Sequence, residues 1–208
     1  MTRIFLIRHG ENIDGQVDGQ GPVVDLGLSA AGRTQVDRLC ARLLASGEHN
    51  AAVLLASPER RAVETAQAVS AVLGLQLATD RRLEEWRSDD GSIPQEEFMA
   101  QWRALREQDR AYHGFQPQSE SQAEFFARVG EALHSIARLY AGANVLVITH
   151  GGFIQASFRH FFGFGDAAFR RAYPAVAHTS LTLWREDGNS GRWTLEYSND
   201  ASHTERAA

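Results

Sequence analysis

Residues 4–11 read Ile4-Phe5-Leu6-Ile7-Arg8-His9-Gly10-Glu11. A short apolar run of β type stops on a guanidinium, an imidazole and a glycine. Ending a buried strand on two such groups is costly unless something anionic meets them. Two further apolar runs end in the same way. Ala52–Ala56 is followed by Ser57-Pro58, with Arg60 and Arg61 one turn further on, and Asn144–Thr149 is followed by His150-Gly151-Gly152. These three runs are almost continuously apolar, as strands covered on both faces are.

Helical patterns lie between the runs. Ser29–Ala45 places Val36, Leu39, Leu43 and Leu44 on one face. Pro58–Leu73 has Ser57 as its expected N-cap and Pro58 at the first helical position. Ser121–Tyr140 opens with Ser121 and Glu124 at capping-box spacing, and Gly152–Phe162 reads as a further helix. Strands alternating with helices predict a three-layer α/β/α sandwich around a mostly parallel sheet. Two alternating runs, Thr179–Arg185 and Arg192–Ser198, are joined by Asp187-Gly188-Asn189-Ser190-Gly191, which predicts an antiparallel edge hairpin. The expected organisation is a single domain over 1–198, a polar helical cap inserted at about 86–118, and a loose polar tail at 199–208.

The chain has 208 residues and a formal net charge of -5. Its one cysteine, Cys40, excludes an internal disulfide and reads as a small apolar helix residue. No stretch reaches the roughly 18 apolar residues of a membrane span, and the N-terminus lacks a signal-type apolar segment. The expectation is a cytoplasmic protein with neither membrane nor nucleic-acid partner.

In open α/β sheets, ligands bind beyond the carboxyl ends of the strands. Parallel neighbours would therefore converge two histidines and two or three arginines on one edge. No acid in the three clusters is clearly placed to neutralise them. A phosphate would, through arginine forks and helix N-termini. Competing motifs fail. Gly19-Gln20-Gly21 meets Val24 where a dinucleotide fingerprint needs its third glycine. His150-Gly151-Gly152 is like an esterase oxyanion motif, yet the chain contains no G-x-S-x-G.

The same residues carry a family resemblance. Arg8-His9-Gly10-Glu11 is similar to the signature of the histidine phosphatase superfamily, the phosphoglycerate-mutase-like proteins. Gln20-Gly21 and Asp25-x-x-Leu28-Ser29-x-x-Gly32 resemble the family's Q-G…D-x-P-L-T-x-x-G, with Gly27 in place of proline. Residues 57–66, SPERRAVETA, resemble S-x-L-x-R-A-x-x-T-A, which puts the family arginine at Arg61. Leu83-Glu84-Glu85 is similar to the L-x-E of the catalytic acid, Ser119-Glu120-Ser121 to G-E-S, residues 147–154 to the second-histidine motif, and His178-Thr179-Ser180 to N-T-S.

The resemblance implies a phosphoglycerate-mutase-like fold and phosphoryl transfer without metal or cofactor. His9 would be the nucleophile and Glu85 the general acid and base. Arg8, Arg61 and His150 would hold the phosphoryl oxygens, with a protonated His150 stabilised by the phosphate. Asn12 and Gly151 are further candidates for phosphate contact. The implied partner is a small phosphorylated substrate or a phosphoprotein.

Departures bear on the activity. Asn12 and Gly15 stand where the family has threonine or serine and then a phosphate-contacting asparagine. After Glu85, the mutase run that supplies extra cations for a second phosphate is not recognisable. A phosphatase is favoured over a mutase-type phosphoryl transferase and over a non-catalytic phosphate-ligand binding protein. Trp86, Arg87, Trp102, Arg103, Arg106, Tyr112 and His113 are candidates for substrate choice. Trp102 and Phe98 also fit a packed helix face.

Overall fold

The structure is a computed structural model that describes residues 1–16, 23–46, 50, 53–88, 92–165, 172–188 and 190–204. Its strands are β1 (Arg3–Arg8), β2 (Asn12–Gln16), β3 (Val23–Leu28), β4 (Val53–Ala56), β5 (Leu77–Thr79), β6 (Asn144–Thr149), β7 (Leu181–Glu186) and β8 (Trp193–Asp200). Its helices are α1 (Ala30–Ser46), α2 (Arg60–Leu73), α3 (Gln95–Ala104), α4 (Gln122–Leu139) and α5 (Gly151–Phe162). Among the described residues, no helix is long and apolar enough to cross a membrane.

Six strands form one sheet in the order β5-β4-β6-β1-β7-β8. β5, β4, β6 and β1 run parallel, while β7 and β8 are antiparallel at the edge. Alternate side chains of each strand serve opposite faces. Ile4, Leu6, Val145 and Val147 pack with Phe125, Val129 and Leu133 of α4 and with Phe153 and Ile154 of α5. Phe5, Ile7, Leu146 and Ile148 pack with Leu39 and Leu43 of α1 and with Ala62 and Val69 of α2. Each fully buried leucine or isoleucine contributes roughly 1.5–3 kcal/mol. Two apolar layers around a doubly covered sheet give the three-layer architecture expected from the periodicity.

Register sets the site. Arg8 pairs with Thr149 and Ala56 pairs with Ile148, so β1 and β6 end level and β4 ends one residue short of them. His9, His150 and Ser57 are the next residues of three adjacent strands. β7 runs the other way with Leu181 beside Ile7, so the residues just before it reach the same edge. That is how His178 arrives there.

Several local expectations are corrected. Ser57 is not the N-cap of α2, which starts at Arg60 with Glu59 at the cap and no side-chain cap bond. Ser57 instead serves His150. The Ser121–Glu124 capping box is present on α4. The tail expected to be loose from Asn199 is structured through Thr204. Arg42 pairs with Asp200 at 2.6 Å, Arg38 donates to the Thr204 carbonyl at 2.7 Å, and His203 Nε2 lies 3.1 Å from Thr179 Oγ1. The strand pair β2–β3 and strand β5 were not expected, whereas helix α3 lies within the segment expected to be a helical cap. Gln20 and Gly21 lie outside the described residues.

Glu11 is tied into the scaffold. Its side chain accepts from Ser29 Oγ at 2.6 Å, and its carbonyl accepts from the Ser29 N–H at 2.9 Å. A Cβ on Gly32 would stand 1.9 Å from the Glu11 carbonyl oxygen, so α1 can seat on this loop only through a glycine.

Candidate active site

His9 is 4% exposed at the end of β1. Its Nδ1 lies 2.7 Å from the Gly10 carbonyl oxygen. A carbonyl only accepts, so Nδ1 carries the proton and Nε2 holds a free lone pair. Arg61 Nε donates to that Nε2 at 3.2 Å. Burial, reinforced by the charges of Arg61 and Arg8, pushes the His9 pKa down to about 3 against the pull of the Gly10 hydrogen bond. The ring is neutral at physiological pH.

His150 is fully buried, with its ring centroid 5.1 Å from that of His9. Arg61 Nη2 lies 3.3 Å from its Nδ1. A guanidinium cannot accept, so Nδ1 is the acceptor and Nε2–H donates to Ser57 Oγ at 2.8 Å. Burial first, then Arg61 and the neighbouring cations, hold its pKa well below the usual histidine value. In the free site His150 is neutral. The protonated form implied by the resemblance therefore requires the charge of a bound anion.

A histidine whose folded pKa is lowered costs stability in acid, because the unfolded chain takes the proton more readily. The contribution is complete above the unfolded value near 6.5 and is lost as pH falls from there toward about 3. His9→Asn is expected to flatten that loss by about 1.4 kcal/mol per pH unit between pH 6 and 4. Chemical denaturation of both proteins across that range checks it. Parallel slopes would contradict a neutral buried His9.

Arg61 is the hub. Beyond the two histidines, its Nη1 pairs with Asp25 Oδ2 at 3.1 Å, its backbone N–H donates to the same oxygen at 2.9 Å, and its Nη2 pairs with Glu59. Two acids thus stand beside the cations, and Glu59, within the second cluster, corrects the reading that no acid in the three clusters was clearly placed to neutralise them. Arg60 turns outward and pairs with Glu64, so the two adjacent arginines are separated as the resemblance implies. Arg8 Nη1 donates to the Val176 carbonyl at 2.7 Å, whereas its buried Nε has no hydrogen-bond partner among the described residues. A buried guanidinium N–H of this kind is a donor suited to an anion. Gly151 opens α5, so its N–H lacks an intrahelical acceptor. Asn12 opens β2, where its backbone pairs with Leu28.

Glu85 follows the turn after β5. Oε1 accepts the Trp86 N–H at 3.0 Å and Oε2 accepts the Gly152 N–H at 2.9 Å. The segment before it is clamped by Arg128 of α4, which donates to the carbonyls of Arg82 and Glu84 at 2.9 Å and of Glu85 at 3.0 Å. Glu120 holds Arg128 through two bonds of 2.6 Å. Burial works against the Glu120 charge, but Arg128 and Arg87 outweigh it and keep its pKa below the usual range. Removing one partner of so buried a pair costs roughly 3–5 kcal/mol. Arg128 was missed because it lies more than 40 residues from the segment it holds.

His178 Nδ1 donates to the His9 carbonyl at 3.2 Å, so it braces the loop that carries His9. Thr179 beside it sits at φ 57°, an unusual value for a β-branched residue.

A cavity of about 390 Å³ adjoins Glu85, lined by Trp86, Phe125, Phe126, Gln155, Ala156 and Tyr173 among others. Of the residues expected to choose the substrate, only Trp86 lines it. Trp102 packs on Phe115 and against Trp86, and Phe98 stacks on Phe115 at 4.0 Å, so these aromatics hold the inserted segment together. Arg87 pairs with Glu84 and Glu120. Phe125, Phe126 and Gln155 were missed, because their helical spacing marks them equally as core.

Comparison with known proteins agrees with this geometry. The chain is 30% identical over 220 residues to "Phosphoglycerate mutase-like protein 4" of Arabidopsis thaliana, covering 98% of this chain and 87% of that protein. It superposes on Bacillus stearothermophilus YhfR with a TM-score of 0.76 at 28% identity, covering 99% and 100% of the two chains. The fold is shared with a mycobacterial glucosyl-3-phosphoglycerate phosphatase solved with inorganic phosphate, at a TM-score of 0.73 and 23% identity over 97% and 98%. Residues 4–201 match the family model of the histidine phosphatase superfamily, branch 1, and the chain belongs to that family.

Proposed function

We propose that this protein is a metal-independent phosphatase that hydrolyses a phosphate monoester through a phosphohistidine on His9. One observation carries the reading. The His9 ring is neutral and held by Gly10, so its Nε2 lone pair faces the point where Arg61 and His150 converge. Nε2 attacks phosphorus in line, and the bond from phosphorus to the leaving oxygen breaks. Glu85 gives that oxygen its proton, then takes one from the water whose oxygen displaces Nε2 from phosphorus. The products are an alcohol and inorganic phosphate. Arg61, Arg8 and a His150 protonated alongside the anion spread the transferred charge, which is most of what phosphoryl transfer asks of a protein.

The cavity beside Glu85 supports a phosphatase over a mutase. Among its described lining residues the only charged group is Glu85 itself. A second phosphate or a carboxylate on the leaving group would meet no described cation there. The cavity fits the apolar or aromatic portion of an uncharged alcohol.

Phosphate release with EDTA present, across pH 5–8, tests this. Phenyl phosphate is expected to exceed 3-phosphoglycerate in kcat/KM by about tenfold or more, since one unpaired buried charge costs at least 1–3 kcal/mol. Interconversion of phosphoglycerates that needs a bisphosphorylated primer would overturn the proposal in favour of a transferase. Tight phosphate binding without turnover would favour a binding protein.

A further inference from the structure

Glu59 stands where the family pattern quoted above carries leucine, and its carboxylate reaches three parts of the site. One oxygen pairs with Arg61 Nη2. The other accepts the Glu85 N–H at 2.9 Å and lies 3.4 Å from His150 Nε2. Its side chain is 26% exposed, so it is reached by solvent only in part. The charged or titratable groups around it come from every neighbouring element. They are Arg61 on α2, Glu84 and Glu85 after β5, and His150 after β6, with Asp25 of β3 on the far side of the guanidinium.

Formal charges show the consequence. Arg8 and Arg61 contribute two positive charges. Asp25 and Glu59 as carboxylates already balance them, and both facing histidines are neutral. A tetrahedral dianion entering this site must take Arg61 Nη2 as a donor, next to an acid already paired with that nitrogen. A leucine would offer no such opposition and would not hold the Glu85 main chain.

We infer that Glu59 is a positioning residue with a second effect: it ties Arg61 to the backbone of the general acid, and as a resident anion it limits how tightly the site retains a tetrahedral dianion. The inference rests on the phosphatase reading above for its purpose, which is release of inorganic phosphate, but not for its test. A resident anion that hinders product retention lets turnover continue at high phosphate.

Sulfate is the probe, because it stays dianionic across pH 5–8 and needs no turnover. Titration calorimetry at pH 8 compares the unmodified chain with Glu59→Gln and Glu59→Leu. Glutamine keeps an acceptor for the Glu85 N–H and removes the charge. Both variants are expected to bind sulfate about tenfold more tightly, as removal of a like charge a few ångströms away implies. Glu59→Leu, which also frees the Glu85 backbone, is expected to lose at least tenfold in kcat on phenyl phosphate, with more of that loss recovered in Glu59→Gln. A purely structural role weakens binding in both variants, and unchanged or weaker sulfate binding by a folded Glu59→Gln overturns the inference. If the unmodified chain binds sulfate without hydrolysing esters, the phosphatase reading fails while the affinity comparison still decides the role of Glu59.

Discussion

His9→Ala is expected to abolish phosphate release from phenyl phosphate, with a loss on the order of 10⁴-fold or more. The size follows from what is removed. The proposed reaction passes through a covalent bond to Nε2, whose neutral lone pair Arg61 Nε orients. His150 is turned so that its Nδ1 accepts from Arg61 and its Nε2–H is committed to Ser57. His178 spends its Nδ1 on the His9 carbonyl. Their ring centroids lie 5.1 and 5.5 Å from that of His9, so neither puts a lone pair where His9 Nε2 stands. The fold should survive, because among the described residues the His9 ring makes only the Gly10 and Arg61 hydrogen bonds, whereas the β1 backbone is paired on both sides. Phosphate release and rapid-quench trapping of an acid-labile phosphoenzyme are the measurements. Turnover by the variant within tenfold of the native rate would end the phosphohistidine mechanism.

Glu85→Gln is expected to lower kcat by about 10²–10⁴, the usual value of general acid–base help. Both carboxylate oxygens accept a backbone N–H, so glutamine can keep one of those bonds and must turn its NH₂ toward the other donor. The diagnostic is the leaving group. An alkyl alcohol needs a proton as it departs and 4-nitrophenolate does not. The loss should therefore be larger for alkyl phosphates than for 4-nitrophenyl phosphate. Equal losses on the two would assign Glu85 a positioning role only. Gly152→Ala offers a second route to the same group, because a Cβ there would stand 2.3 Å from Glu85 Oε1. It should displace the carboxyl while leaving its chemistry intact, and reproduce part of the same leaving-group dependence.

The strands that carry the site were legible because a buried parallel strand must be apolar throughout, so its polar end stands out. That contrast marked Arg8-His9, Ser57 and Thr149-His150 before any contact was known. It could not say what Ser57 does. A serine before proline looks like a helix cap, and only the two-residue delay in the start of α2 frees it for His150. The antiparallel edge was readable from its turn residues. The packed stretch 199–204 was not, since its anchors, Arg38 and Arg42, lie on α1 more than 150 residues earlier.

By itself, then, the chain determined the sheet order's essential feature, three parallel strand ends bearing histidines and arginine, because burial and periodicity are local properties. Tertiary structure alone decided the charge balance and the shape of the site. It placed Asp25 and Glu59 on Arg61, hung the Glu85 segment from Arg128, and opened the apolar cavity beside the acid. Each of these depends on side chains distant in sequence meeting within a few ångströms, and whether a carboxylate neutralises a cation or faces solvent is set by that distance rather than by its neighbours along the chain.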